Sequence, residues 1–376
     1  MSGVLDSATE NPTSAMRARP PWRAARAFAT LLHEQHMPAT TAASYPDFSH
    51  LPRLQHGAGE EHSFVAAFRR LLLTLGRVPP YWYLMAVSGA AFRLQIHCNG
   101  WRMNSTDVMC GFDLTGYLCR AFGVQTECVW VCGDEQRMRA VRKRILANLQ
   151  RGWPTIGLGM DGRALYGLII GAITDEHLVA LDYSVRGHSQ EVLQKMAWCY
   201  HLITGVGPPG AEADQVHQAC ALATEVMITP RAASFHLGLD AYDYWRATLV
   251  NPEHHNPLAQ DWRAHERNDG NYWLCCALVD ARRSAATFCQ WLAARRPAVA
   301  HLARALADQY TNIADAVQPL VDRQTVRPDA QISAARPWTM HDRRKQVLAL
   351  DYAREREVRA LALLQQLHAE AGAEIA

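Results

Sequence analysis

Long apolar runs are missing from this sequence. No stretch approaches the roughly 20 consecutive apolar residues that a membrane-spanning helix requires. The N-terminal segment MSGVLDSATENPTSAMRARPPWR is polar and basic, and it lacks the apolar centre of a signal peptide. The sequence therefore predicts a cytoplasmic protein with no membrane partner.

An excess of charge of one sign is also missing. Lysine and arginine total 38 against 36 aspartate and glutamate residues, which leaves a formal net charge of +2. Binding to nucleic acid or to an anionic lipid surface depends on concentrated positive charge, so neither is expected as the main partner. The charge balance leaves the oligomeric state open.

Paired cysteine motifs are absent as well. The chain has ten cysteines but no CxxC, and the spacings of Cys128 and Cys132, or of Cys275 and Cys276, match neither a disulfide scaffold nor a zinc site. In a cytoplasmic protein these residues would stay as thiols, most of them buried among apolar side chains. We therefore expect no cofactor and no metal ion.

Two other patterns are also interpreted as structural. His254 and His255, with His236 and His265 nearby, have no recognised ligand spacing and are expected to be loop residues. The run GLGMDG at 157–162 has the form GxGxxG, but the sequence after it is typical of a strand. A dinucleotide site needs a helix there, so this function is not expected.

The chain divides into three parts. Residues 1–55 are expected to form an N-terminal arm and loop, with a short helix within WRAARAFATLLHEQH. Residues 56–205 contain both helical and strand patterns. The stretch VGPPGAEADQ combines glycine, proline and acidic residues, so it marks the boundary of a helical domain over 206–376.

Hydrophobic spacing predicts the helices of the middle part. A buried helix is expected over 63–75, with Ser63 as its N-cap and Gly76 at its C-terminal end. A second helix is expected over 106–123, beginning at a Thr106 cap. Its first turn would place a cysteine close to the positive end of the helix dipole.

Strands and further helices follow. After an amphipathic helix over 138–149, the runs PTIGLGM, LYGLIIGAI and HLVALDY are separated by turn residues and predict an antiparallel meander. Beyond residue 206, apolar residues at helical spacing predict helices over 274–292 and 302–320, and a last helix capped near Thr339. The C-terminal part is thus expected to be a helical bundle.

Three segments carry a resemblance to a known superfamily: HSFVAAFRRLLLTLG, LMAVSGAAFRL and RGWPTIGLGMDGRALYGLIIGAITDEHLVALDY. Over roughly 55–205 they resemble the papain-like cysteine-peptidase superfamily. They are similar in particular to bacteriocin-processing peptidases and to the butirosin-biosynthesis acyltransferase N-terminal family. The resemblance implies an α+β fold: a papain-like domain with a buried N-terminal helix packed on an antiparallel sheet, followed by the helical domain.

The resemblance also assigns catalytic positions, and two of them are substituted. The catalytic cysteine falls at Ser63, and the histidine falls at Leu165, where Tyr166 is the neighbouring residue able to exchange a proton. The orienting acid is retained at Asp182. The glutamine of the oxyanion hole falls near Gln55 or His56.

Each candidate residue has a second interpretation. Without a general base Ser63 is a poor nucleophile, and it is interpreted as a helix cap. Asp182 would serve equally well as a turn residue at the end of a strand. Cys110, beside Gly111 at the expected start of a helix, is the best substitute nucleophile, but it would also suit a buried core position.

Two functions remain open from the sequence. The first is a cleft-containing binding protein with a degenerate Cys-His-Asp triad in bacterial specialised metabolism, holding a small molecule, a peptide or a ligand bound to a carrier protein. The second is an acyltransferase, or an enzyme that forms or cleaves amide bonds with a non-standard nucleophile. In either case Tyr81, Trp82, Tyr83 and the segment 88–93 are expected to line the cleft or to pack its two layers together.

Overall fold

The computed structural model describes residues 45–48, 50–101, 103–183, 191–251, 262–322 and 339–375. The helix expected within 22–36 and the histidines at 254 and 255 lie outside these residues. Within them, the chain is a mixture of helices and antiparallel sheets, which confirms the α+β class expected from the sequence.

The strands form two antiparallel sheets. One has six strands in the order β2-β7-β3-β4-β5-β6, and the other has three in the order β1-β9-β8. The strands are β1 (Gln95–His97), β2 (Val124–Trp130), β3 (Thr155–Leu158), β4 (Tyr166–Ala172), β5 (Leu178–Leu181), β6 (Glu191–Val192), β7 (Cys199–Val206), β8 (Arg231–Ala232) and β9 (Phe235–Leu237). The expected meander is confirmed as β3, β4 and β5.

The described residues contain nine α-helices. They are α1 (Ser63–Thr74), α2 (Tyr81–Ser88), α3 (Thr115–Ala121), α4 (Glu135–Gln150), α5 (Glu212–Ile228), α6 (Gly238–Val250), α7 (Trp262–Arg295), α8 (Ala300–Asp322) and α9 (Met340–Ile375). The expected helices after residue 206 are confirmed. The Thr339 hydroxyl accepts a hydrogen bond from the Asp342 amide, so the predicted cap of α9 is confirmed too.

Helix α1 packs on the six-stranded sheet as predicted. The ring of Phe64 lies 5.1 Å from that of Tyr166 and 5.2 Å from that of His201, measured between ring centroids. The start of the helix meets the start of β4, where the Tyr166 amide donates a 3.2 Å hydrogen bond to the Ser63 hydroxyl. The sequence segments that resemble the papain-like helix and sheet therefore lie together.

Two details of the predicted helices are wrong. The N-cap of α1 is His62, and Ser63 is the first helical residue, because the Ser63 hydroxyl bonds to β4 and caps no amide of its own helix. The helix expected over 106–123 is confined to α3. Before α3 the chain is irregular, since Gly111 has a φ of +67°, which a continuing α-helix does not allow.

The segments before and after residue 205 share buried contacts. The Tyr81 hydroxyl donates to the Asp280 carboxylate at 2.6 Å, and the Arg282 guanidinium donates to the Ala91 carbonyl at 2.8 Å. By its contacts the chain from Tyr45 onward forms one compact unit. The division into domains at residue 205 stays a prediction. None of the described helices is both long enough and apolar enough to cross a membrane.

An ion pair deep in the core joins two of the long helices. Arg282 of α7 and Glu357 of α9 are both 0% exposed, and the Glu357 carboxylate also accepts a 3.0 Å hydrogen bond from the Tyr242 hydroxyl. Removing one partner of a buried pair leaves the other charge without compensation. The pair therefore makes the packing of α7 against α9 sensitive to substitution.

We expect Glu357→Ala to lower the free energy of unfolding by about 3–5 kcal/mol, because it leaves the buried Arg282 charge without its carboxylate partner. Glu355→Ala is the matched control on the same helix: the Glu355 and Arg359 side chains are about half exposed, so their ion pair should contribute less than about 1 kcal/mol. Urea unfolding of both variants tests this. Equal losses would show that the buried pair has no special role.

Candidate functional site

A clamp made by two side chains shapes the segment that follows the short 3-10 helix Met103–Thr106. The Arg93 guanidinium donates to the carbonyls of Phe112 at 2.9 Å and Asp107 at 2.8 Å, and more weakly to two others in the same segment. The Gln95 side chain donates to the Cys110 carbonyl at 2.8 Å. Because the Arg93 guanidinium binds several carbonyls, this segment keeps a defined conformation although it has no regular secondary structure.

Asp107, in the clamped segment, reaches the sheet. Its carboxylate accepts hydrogen bonds from the Tyr166 hydroxyl at 2.9 Å and from the Met109 amide at 2.8 Å. Burial raises the pKa of Asp107, and burial next to Asp107 raises the pKa of Tyr166 far above its ordinary value. Tyr166 is therefore a poor proton acceptor at neutral pH and is not suited to act as a general base.

The position at which the resemblance predicts a histidine holds a partly buried leucine. Leu165 lies beside the start of α1 and contributes no titratable group there. The neighbouring Tyr166 offers Ser63 only its backbone amide. The Ser63 hydroxyl thus accepts a hydrogen bond from the backbone, and among the described residues no imidazole or carboxylate is hydrogen-bonded to it, as nucleophilic catalysis by serine requires.

Asp182 is engaged elsewhere. Its carboxylate forms a 3.1 Å ion pair with Arg163 and accepts a 2.6 Å hydrogen bond from the Tyr183 amide. Asp182 is buried and does not line the cavity beside Ser63. Asp182 therefore pairs with an arginine in the turn before β4, which fits its interpretation as a strand-end residue.

A cavity of about 250 Å³ lies between the start of α1, the edge of the sheet and α7. It brings together Ser63, Leu165, Tyr166 and Cys110, all of which the sequence selected. Its wall is mainly apolar. The wall also includes His56, Glu61, His62, Asp107, Trp130, Trp198, Trp273, Ala277 and Ala281.

Two tryptophans at the cavity are unusually exposed for their size. Trp130, at the end of β2, is 46% exposed, and Trp198, directly before β7, is 39% exposed. The Trp198 ring lies over Gly159, where φ is +83° and where a Cβ atom would overlap the indole. A glycine is therefore needed there to let this ring reach the cavity.

His62 is a polar group of the cavity wall to which the sequence assigned no function. Among the described residues neither of its ring nitrogens has a hydrogen-bond partner, although both are buried. Burial, with the nearby Arg93 charge, lowers the pKa of His62 to about 3, so the ring is neutral at pH 7. A neutral imidazole offers one donor and one acceptor to whatever enters the cavity.

Hydrogen bonds connect the residue before α1 to α2 and α7. The His62 amide donates to the Tyr81 hydroxyl at 2.9 Å, and that hydroxyl donates in turn to Asp280. Burial raises the pKa of Asp280 to about 7. Asp280 lines a second, wider cavity of about 1030 Å³, which shares residues with the first, His56 among them.

Of the two residues suggested for the oxyanion position, one lines the cavity. His56 stacks on Tyr183, with 4.4 Å between ring centroids, and its Nδ1 lies 3.2 Å from the Glu61 carboxylate. Gln55 is exposed and is not part of the wall. The expected aromatic segment has a structural role as well, since Tyr83 donates a 2.8 Å hydrogen bond to Gln215 of α5.

Cys110 is in the cavity but is not activated. It lies in the irregular clamped segment, so it lacks the helix N-terminus that was expected to favour its thiolate. Burial, together with the Asp107 charge, raises the pKa of Cys110 to about 11. Only about one thiol in 10⁴ would then be ionised at pH 7.

A comparison with known protein families found no match to this chain, and neither did a comparison with curated proteins.

The unpartnered imidazole makes a testable contribution to stability. We expect His62→Leu to raise the free energy of unfolding at pH 7 by about 1 kcal/mol, because it removes two buried polar atoms that lack partners. The His62 pKa is lower in the folded than in the unfolded state, so wild-type stability falls as the pH drops below 6.5. The advantage of the variant should therefore grow by about 1–2 kcal/mol between pH 7 and pH 5.

The measurement is urea unfolding at both pH values, with His301→Leu as the control. His301 is an exposed residue on α8, so its replacement should change stability little at either pH. If His62→Leu is destabilised at pH 5 relative to the wild type, the ring is protonated or partnered in the folded protein.

The thiols should differ in reactivity. We expect Cys110 to react slowly with iodoacetamide at pH 7 because its pKa is raised. Cys128 should react faster than Cys110. Cys128 is exposed, and a hydrogen bond from the Cys199 thiol lowers its pKa. Peptide mapping by mass spectrometry after brief labelling in EDTA-containing buffer measures both rates. Faster labelling of Cys110 would show an activated thiol in the cavity.

Proposed function

We propose that this chain is a binding protein for a small, mainly apolar and uncharged molecule, and that the cavity at the start of α1 is its binding site. The observation that carries the proposal is the neutral, unpartnered His62 ring in an apolar cavity beside two exposed tryptophans. Ligand sites are typically apolar hollows with a few polar groups that orient the ligand. His62 is such a group.

The papain-like fold belongs to the same proposal. It is supported by the contact of α1 with β4 at Ser63, which joins the two segments that carry the resemblance. On that fold the cavity occupies the place of a catalytic cleft. The substitutions at Ser63 and Leu165, with Asp182 paired to Arg163, are then a change from catalysis to binding.

The size and charge of the cavity favour a small molecule over a peptide or a carrier-bound ligand. A volume of about 250 Å³ is close to the lower end of ordinary ligand pockets. The buried cation at the site, Arg93, has its guanidinium occupied by backbone carbonyls, so it is not available to hold an anionic group. A neutral ligand with a hydrogen-bond donor for the His62 acceptor fits these constraints best.

Binding can be tested with N-phenyl-1-naphthylamine, a neutral apolar probe that carries one N–H donor and becomes fluorescent in apolar surroundings. We expect saturable binding of one molecule per chain. Ala277→Phe fills the cavity from α7 and should weaken binding at least tenfold, which corresponds to about 1.4 kcal/mol. Ala305→Phe on α8, at a similarly half-buried alanine outside the cavity wall, is the control and should bind like the wild type.

His62 has its own test in the same assay. His62→Leu should weaken binding of the amine probe about tenfold, because one hydrogen bond is lost. Binding of naphthalene, which has no donor, should be unchanged or tighter, as judged by quenching of tryptophan fluorescence. Non-saturable binding, or equal affinities for all variants, would contradict the proposed site.

The acyl-transfer alternative retains one supporting observation: Ser63, Cys110 and His62 line the same cavity. The low pKa of His62 and the high pKa of Cys110 make this set a weak catalyst. We expect hydrolysis of p-nitrophenyl acetate by the wild type to equal that by Ser63→Ala and Cys110→Ala. A burst of p-nitrophenol that either substitution abolishes would favour the enzyme.

A further inference from the structure

Three potential metal ligands lie together on two neighbouring strands of the six-stranded sheet. Cys128 of β2 is directly opposite His201 of β7, and Cys199 is two residues before His201 on the same strand. Because side chains alternate along a strand and paired residues share a face, all three side chains are on one face of the sheet. This is the face that packs against α1 through Phe64.

The distances among these groups suit a shared metal ion. The Cys128 and Cys199 sulfur atoms are 3.2 Å apart, and one ligand atom from each of the three residues lies within 4.8 Å of the others. Ligands of a tetrahedral zinc ion, with Zn–S near 2.3 Å and Zn–N near 2.0 Å, are separated by roughly 3.5–3.8 Å. The sulfur separation is a few tenths of an ångström below this range, and no pair among the three ligand atoms is more than 4.8 Å apart, so small side-chain rotations would complete the arrangement.

Two further observations favour a metal ion at this cluster. His201 is 3% exposed, and its Nε2 has no hydrogen-bond partner among the residues described. Buried imidazole nitrogens are normally satisfied, so this atom lacks the partner that a metal ion would supply. Cys128 is exposed and gives an ion a way in from solvent.

The surrounding groups favour a thiophilic ion. The Met109 sulfur lies 3.7 Å from the Cys128 sulfur, so a third sulfur atom lies next to one of the three ligands. Thiolate and imidazole ligands select zinc and related ions over magnesium or calcium.

We propose that Cys128, Cys199 and His201 bind one zinc ion as two thiolates and a neutral imidazole, with the fourth position open to water. On binding, each thiol loses its proton to solvent and each sulfur forms a bond to zinc, so no electron is transferred. The ion would tie β2, at the edge of the sheet, to β7. The zinc site uses none of the residues that line the small-molecule cavity, so a test of zinc binding is independent of the proposed function.

Zinc binding is tested on the reduced full-length protein by competition with a chromogenic zinc chelator. We expect one tightly bound ion per chain, with Cys128→Ser and His201→Leu each weakening binding by more than about 100-fold, since even loss of a residue that only supports a ligand costs 10–100-fold. Cobalt in place of zinc should show the intense visible absorption of a tetrahedral site and a thiolate-to-metal charge-transfer band.

Two serine variants serve as controls. Cys132→Ser removes an exposed thiol in the turn after β2, and Cys98→Ser removes one outside the cluster; both should bind zinc like the wild type. Cys128→Ser alters an exposed side chain and is expected to fold, so it keeps the test valid if His201→Leu does not. The proposal is overturned by substoichiometric binding, by an unchanged affinity in Cys128→Ser, or by loss of binding in Cys132→Ser.

A disulfide between Cys128 and Cys199 is the competing use of the same pair. Thiol counting on the protein as purified without reductant distinguishes them. If the two thiols are recovered as a disulfide and the reduced protein fails to bind zinc, the pair is a redox pair and the zinc site is wrong. If the thiols are free and zinc protects Cys128 from iodoacetamide, the zinc site is supported.

Discussion

The clamp of Arg93 on the carbonyls of the segment before α3 is the interaction on which the rest of the site depends. A buried guanidinium must have its donors satisfied, and here four backbone carbonyls meet that need. The same clamp presents Asp107 to Tyr166 and places Cys110 in the cavity. Its charge also helps keep His62 neutral, so one cation sets both the shape and the electrostatics of the site.

Burial decides what the remaining groups can do. A nucleophile has to ionise near neutral pH, and burial opposes ionisation of the Cys110 thiol as well as protonation of His62. The same desolvation strengthens hydrogen bonds to a neutral ligand, because no water competes inside an apolar wall. An environment that suppresses acid–base chemistry is better suited to binding a neutral ligand than to catalysis, and this is the reason for proposing a binding function.

Sequence patterns succeeded where one face of an element is uniformly apolar. The spacing of Phe64 and Phe68 was enough to predict α1, and the short apolar runs were enough for β3, β4 and β5. The sequence patterns did not predict β2, because buried and exposed residues do not alternate along it. This strand lies at the edge of the sheet and carries a bulge after Gln125. The patterns failed again before α3, where Arg93 and Gln95 override a local helical pattern.

The sequence by itself determined that the chain combines helices with short strands and that a helix begins at Ser63, because both follow from local periodicity. Only the tertiary structure decided that Asp182 pairs with Arg163, that His62 has no partner and that Cys128, Cys199 and His201 meet. The physical reason is sequence separation: Cys128 lies far along the chain from Cys199, and strand pairing alone brings the two sulfur atoms to 3.2 Å.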